Sequence, residues 1–211
     1  MSLAPAPSRP RGRFITFEGI DGAGKSTHIP WFARALEARG QSVVITREPG
    51  GTALAEAIRE WVLHQPMSMR AEALLVFAAR QDHLDRLIRP ALDQGQWVIC
   101  DRFTDSTVAY QGAGRGLPIE DIAALERWVH PDLQPDCTLL FDLDPHEAAR
   151  RRAAVRQADR FEAQDTDFFA RVRAGYRNRQ IEHPARFHLI DSRQSISNIH
   201  LKLEKIISSL C

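Results

Sequence analysis

The stretch FEGIDGAGKST, residues 17–27, decides the fold class. From Gly19 to Ser26 it fits the pattern G-x-x-x-x-G-K-[ST] in full. An apolar run, RFITFE (13–18), precedes it, and a helix-patterned run from Lys25 to Arg39 follows, with Gly40 as its stop. Strand, glycine-rich loop and helix in that order make a phosphate-holding loop. The glycines let successive backbone N–H groups point inward as an anion nest, and the helix N-terminus adds its dipole. Gly19, Ile20, Asp21, Gly22, Ala23, Gly24, Lys25, Ser26 and Thr27 are therefore expected to bind a nucleoside triphosphate. Lys25 offers a point charge to the outer phosphates, and Ser26 a hydroxyl to Mg²⁺. Pro30 falls inside the helix pattern, but within its first turns, where the penalty is smaller.

Outward from this loop, apolar runs and helical patterns alternate. SVVIT (42–46), WVICD (97–101), CTLLFDL (137–143) and FHLID (187–191) join RFITFE as five strands, SVVIT being read as buried. Residues 55–64, 71–92 and 119–129, the start DPHEAARRR, and the tail from Ser195 to Leu210 read as helices, and QGAGRGLP (111–118) as a glycine-rich loop. Five apolar strands separated by helices predict an α/β fold, a five-stranded parallel sheet flanked by helices. One domain over 13–211 is expected, its least core-like part an arginine-rich lid near 150–162. The leader MSLAPAPSRPRG (1–12) reads as disordered.

Composition narrows the classes of function. A formal net charge of +1 gives no global basic field for nucleic acid. Arginines instead cluster at 150–152 and again at Arg156 and Arg160, which suits a small, highly charged ligand. Cys100, Cys137 and Cys211 are too few and too irregular for a disulfide framework or a zinc site. No run has the apolar length of a membrane span, and the start lacks the apolar centre of a signal peptide, so the cytoplasm is the expected location. The histidines have no ligand spacing. Asp142 and Asp144 are expected to end a strand and cap a helix.

The loop alone does not name the acceptor of a phosphate. A GTPase would need an Asn-Lys-x-Asp segment, which this chain lacks. Asp101, ending a strand beside the loop, can hold Mg²⁺ directly or through water. Arg102 follows at the sheet's carboxyl edge and can grip a second phosphate as a bidentate fork. A kinase for a small acceptor and a nucleotide-dependent binding switch both remain open on these residues.

FEGIDGAGKST, TREPGG (46–51), FAARQDHL (77–84), DRFTDSTVAYQGAGRG (101–116) and DRFEAQD (159–165) occur in this order and at familiar separations. Together they resemble the bacterial thymidylate kinases, within the nucleoside-monophosphate kinase family. The resemblance runs from about Arg13 to beyond Tyr176. It implies ATP-dependent conversion of dTMP to dTDP, with Mg²⁺ on Ser26 and Asp101, in a homodimer whose contact face lies on the helices at 55–92. It also implies roles. Asp21 would meet the acceptor's 3′-hydroxyl, and Arg47 would position the phosphates in a turn shaped by Glu48 and Pro49. Arg59 and Arg102 would hold the acceptor's 5′-phosphate. Arg80, Thr107 and Gln111 would recognise thymine, while Tyr110 would pack near C2′ of the sugar. Lys25, Arg47 and Arg102 would act in catalysis with an arginine of the lid.

Two departures from the family pattern stand out. Where relatives carry an aromatic residue four positions before Arg80, this chain has Val76, so Phe77 is expected to supply the ring to the dTMP pocket. The phosphate loop holds no arginine, whereas RRRAAVRQADRFE holds five. The chain thus resembles the lid-arginine type, with Arg156 the first choice for the catalytic cation and Arg160 the second. AVRQADR is one residue shorter than in close relatives, which shifts the register there.

Overall fold

The computed structural model of the protein describes residues 11–153, 160–161 and 164–211. Five strands, β1 (Phe14–Glu18), β2 (Val43–Arg47), β3 (Trp97–Asp101), β4 (Cys137–Asp142) and β5 (Phe187–Asp191), form one parallel sheet in the order β2-β3-β1-β4-β5. β1 is central, and every one of its residues is buried. Alternate side chains serve opposite faces. Ile15, Phe17 and Ile99 pack with Phe32, Leu36 and Leu203, whereas Phe14, Val98 and Cys100 pack with Leu84, Ile88 and Leu92.

Register decides what meets at the sheet's carboxyl end. Phe17 and Arg47 both pair with Asp101, so the start of the phosphate loop, Arg47 and Asp101 share one edge. Ligands of open α/β sheets bind there.

The helices are α1 (Lys25–Glu37), α2 (Ala53–His64), α3 (Met69–His83), α4 (Arg89–Asp93), α5 (Thr104–Thr107), α6 (Ile119–Val129), α7 (Pro145–Ala153), α8 (Thr166–Glu182) and α9 (Ile196–Leu210). Several starts are set by side-chain caps. Thr52, Ser68, Asp165 and Ser195 accept from the backbone N–H of Ala55, Ala71, Phe168 and Asn198. Asp142 ends β4 and Asp144 caps α7, both as expected, and Asp142 also accepts from Nε and an Nη of Arg173 on α8. No described helix is long and apolar enough to cross a membrane.

Three expectations need correction. β2 lies at the sheet edge, so it is half-buried rather than buried, with Ile45 exposed. The helix expected over 71–92 is interrupted by wide π-type turns at Leu84–Ile88 before α4. The glycine-rich loop begins later than its composition suggests, because α5 runs on through π-type turns at Val108–Gly114. Gly114 lies close against α8 there, whereas Gly112 faces Ile122 of α6. A Cβ on Gly114 would fall 2.7 Å from the Phe168 ring.

Candidate active site

The phosphate loop leaves β1 at Gly19 with φ of +131°. A Cβ there would stand 2.3 Å from the Phe141 carbonyl oxygen, so the strand-to-loop turn admits glycine for both reasons. Ile20 and Ala23 turn their side chains into the core, which leaves the loop's backbone to face outward. Lys25 is buried, and its ammonium donates to the carbonyls of Gly19 (3.0 Å) and Ile20 (3.4 Å). Burial, and then the neighbouring Arg102, lower its pKa.

A cavity of about 820 Å³ opens over the loop, lined by residues 21–28 together with Arg47, Arg59, Asp101, Arg102 and Arg151. Its far side is built from Ser192 and the start of α9. Asp101 Oδ1 is buried and has no hydrogen-bond partner among the described residues, while Ser26 is exposed in the same cavity. An orphaned carboxylate oxygen beside a hydroxyl suits a hard cation, so Ser26 and Asp101 fit Mg²⁺.

Arg102 joins this cavity to a second one. Among the described residues it alone, glycine apart, has a positive φ, 74°. Its guanidinium donates to Asp21 (2.6 Å), Gly19 O (3.0 Å), Ser106 Oγ (3.2 Å) and the hydroxyls of Tyr176 (2.9 Å) and Tyr110 (3.2 Å). Tyr110 also donates to Asp21 at 2.9 Å. Burial alone would raise the Asp21 pKa, but Arg102 and then Lys25 outweigh it and hold the carboxyl well below the usual range. Asp21 therefore stays charged inside a phosphate loop because a cation already neutralises it.

Beneath this junction lies Glu18, fully buried. It accepts from the Phe103 backbone N–H at 2.7 Å and from Ser106 Oγ at 2.6 Å. These bonds brace the turn that carries the left-handed Arg102. Burial, with Asp105 next, pushes the Glu18 carboxyl up to about 7. Asp105 is itself clamped by Arg186 at 2.6 and 2.8 Å and by Arg179 at 2.9 Å.

The second cavity is narrower, about 100 Å³, and is walled by α2, α3 and residues 102–111. Arg80 is buried at its end. Its Nε donates to Glu48 (2.7 Å), and its other arms donate to the hydroxyls of Thr104 (3.3 Å) and Thr107 (3.0 Å). Burial would raise the Glu48 pKa, but Arg80, with a hydrogen bond from His83, keeps it lowered. The Glu48–Pro49 peptide is cis, and Pro49 O accepts from Arg59 at 2.8 Å. Gln111 donates to Glu72 at 2.7 Å, and Val76 and Phe161 complete the wall. Arg47 lines the larger cavity rather than this one, paired with Glu56 at 2.8 Å.

The structure thus gathers Asp21, Arg59, Arg80, Arg102, Thr107, Tyr110 and Gln111 around one cavity. Phe77 is not among them. It packs in the core with Ala73, Val108, Leu117 and Ile122, its ring under the Arg80 guanidinium at 4.7 Å. Successive helical residues point about 100° apart, so with Val76 on the cavity Phe77 turns toward α6. Phe103, Tyr110 and Phe161 are the aromatic rings that line the cavity. Arg160 also departs from expectation. It donates to Val62 O and to Glu72, because a fully buried carboxylate draws a cation to itself, and this ties Arg160 to the narrower cavity rather than the phosphate loop. Arg156 lies outside the described residues. Sequence reasoning missed Glu18, Glu72 and Asp105 as anchors, and Arg151 as a wall of the larger cavity. For Arg151 the arginine run was the available signal.

A family model described as thymidylate kinase matches residues 17–203. The chain belongs to the thymidylate kinase family. It is 58% identical over 204 residues to the thymidylate kinase of Paraburkholderia xenovorans (strain LB400), covering 95% of this chain and 99% of that protein. The thymidylate kinase of Burkholderia mallei (strain NCTC 10229) is 55% identical over the same span. The crystal structure of thymidylate kinase from Ehrlichia chaffeensis superposes with a TM-score of 0.76 at 37% identity, over 94% of this chain and 99% of that one. The expected nucleotide-binding transferase on a five-stranded parallel sheet is borne out.

Proposed function

We propose that the chain transfers the γ-phosphoryl group of ATP to the 5′-phosphate of dTMP, with the larger cavity holding ATP and the narrower one dTMP. The observation that carries this reading is the wall the two cavities share. Asp21, Glu48, Arg59 and Arg102 line both, so the donor's phosphate chain in one and the acceptor's 5′-phosphate in the other meet at two guanidiniums.

Phosphoryl transfer needs positioning and charge neutralisation more than covalent participation. The acceptor's phosphate oxygen attacks the γ-phosphorus in line, the bond to the bridging oxygen breaks, and ADP leaves. Backbone N–H groups of Gly19 to Thr27 and the Lys25 ammonium hold the donor chain, while Arg47 and Arg151 face it from the rim. Arg59 and Arg102 hold the acceptor phosphate. Arg80, Thr107 and Gln111 read the base edge, Tyr110 covers the sugar, and Asp21 accepts from its 3′-hydroxyl. Mg²⁺, held by Ser26 and Asp101, would neutralise charge on the transferring phosphates. We further propose a homodimer in the cytoplasm, a compartment that suits the free cysteines Cys100, Cys137 and Cys211.

The test is ADP release with Mg·ATP against dTMP, dUMP, dCMP, dGMP, UMP, thymidine and no acceptor. Turnover with dTMP well above all others is expected. Equal turnover across the panel, or none above the acceptor-free rate, would overturn the reading and favour a slow nucleotide-hydrolysing switch.

A further inference from the structure

We propose that Glu72 is a specificity-determining positioning residue. It fixes the direction of the Gln111 amide so that the narrower cavity takes a pyrimidine bearing a ring N–H and rejects one bearing a ring lone pair. The inference rests on the reading of that cavity as the acceptor site.

Glu72 sits in the first turn of α3 with its side chain fully buried. One oxygen accepts from Gln111 Nε2 at 2.7 Å. The other takes Arg160 and, at 3.3 Å, Arg115. A carboxylate only accepts hydrogen bonds, so the Gln111 atom facing it is the NH₂ group. The other end of the amide, the acceptor Oε1, is what the cavity is offered. Reversing the amide would set two oxygens against each other in a buried place and leave a donor unsatisfied.

The surroundings hold the carboxylate still. The Arg160 and Arg115 guanidiniums both stack on the Phe161 ring, at 5.0 and 5.2 Å, and Phe161 is itself part of the cavity wall. The thymine edge carries N3–H between two carbonyl oxygens, whereas cytosine carries a lone pair at N3 and an amino group at C4. A fixed acceptor at Gln111 matches the first and opposes the second. The remaining N–H groups of Arg80 discriminate in the same sense at the neighbouring carbonyl. A site whose buried polar groups are left unpaired by the wrong substrate rejects it strongly.

Glu72→Gln should reverse the lock. Arg160 and Arg115 donate only, so they would draw the new amide's oxygen to themselves and turn its NH₂ toward Gln111. Gln111 would then present its own NH₂ to the base. The experiment measures kcat/KM for dTMP and dCMP in the wild type, Glu72→Gln, Gln111→Ala and the double variant. Glu72→Gln is expected to lower the dTMP-to-dCMP ratio by about 10-fold or more, mainly through KM, and to change it less than about 2-fold in the Gln111→Ala background. An unchanged ratio in Glu72→Gln, or an equal change in both backgrounds, overturns the inference while leaving the acceptor site standing. Gln111→Ala without effect on the ratio overturns the acceptor reading of this cavity as well. If Glu72→Gln does not fold, Glu72→Asp keeps the charge, withdraws the carboxylate from Gln111 and enters the same cycle with the same expected loss of selectivity.

Discussion

At the scale of single residues, Arg102 carries the heaviest demand. Its backbone sits in the left-handed region, which a non-glycine residue enters at about 1–2 kcal/mol. Glu18 holds the next residue's N–H and Ser106, so the turn persists. Arg102→Lys keeps the charge but loses the fork that spans Asp21, Gly19 and two tyrosines, and kcat/KM for dTMP should fall about 10²-fold or more in steady-state kinetics. Glu18 gives a pH signature. With its pKa at about 7 rather than 4.5, the folded protein keeps a proton that the unfolded chain has released. The group's stabilising contribution is therefore complete at low pH and is lost as pH rises from about 4.5 through 7. Glu18→Gln cannot titrate, so its stability relative to the wild type should be about 1 kcal/mol greater at pH 8 than at pH 6 in urea melts. Parallel behaviour at the two pH values would count against a raised Glu18. Asp101→Asn should raise the Mg²⁺ concentration for half-maximal activity about 10-fold or more, read from a metal titration at saturating ATP and dTMP.

Between elements, α8 packs closely against the π-type turns at 108–114. A Cβ on Gly175 would lie 2.7 Å from Ala113 Cβ and 3.1 Å from Ala109 Cα, neither of which can swing away. Gly175→Ala should therefore destabilise the fold by about 1–3 kcal/mol despite the better helix propensity of alanine, measured by chemical denaturation. That contact also explains what the sequence leaves unread. The winding of 108–114 is imposed by a helix more than fifty residues later in the chain, so the local run QGAGRG looks like a loop. The phosphate loop was legible because one contiguous stretch encodes strand, turn and helix. The strands were legible as apolar runs, except that nothing in SVVIT tells an edge from a centre. Phe77 and Val76 are separated only by rotation about the α3 axis, which packing against α6 decides. The buried acids were unreadable for another reason. Asp105 finds Arg186, and Glu18 finds Ser106, across more than eighty residues, and a lone Asp or Glu carries no sign of its distant partner.

For the whole molecule, Leu54, Trp61 and Leu74 leave α2 and α3 with an apolar outer face, each more than half exposed. The proposed second copy would cover it. Trp61→Glu should yield monomer where the wild type gives dimer in light scattering, and a monomeric wild type would sink the proposal. Unlike this outer face, the wall shared by the two cavities bears on how the substrates sense each other. Arg59 and Arg102 belong to both chambers, so neither ligand titrates a private set of charges. Occupancy of one chamber alters the field in the other, and linkage makes that influence mutual. Whatever factor a non-hydrolysable ATP analogue applies to dTMP affinity, dTMP must return to the analogue unchanged.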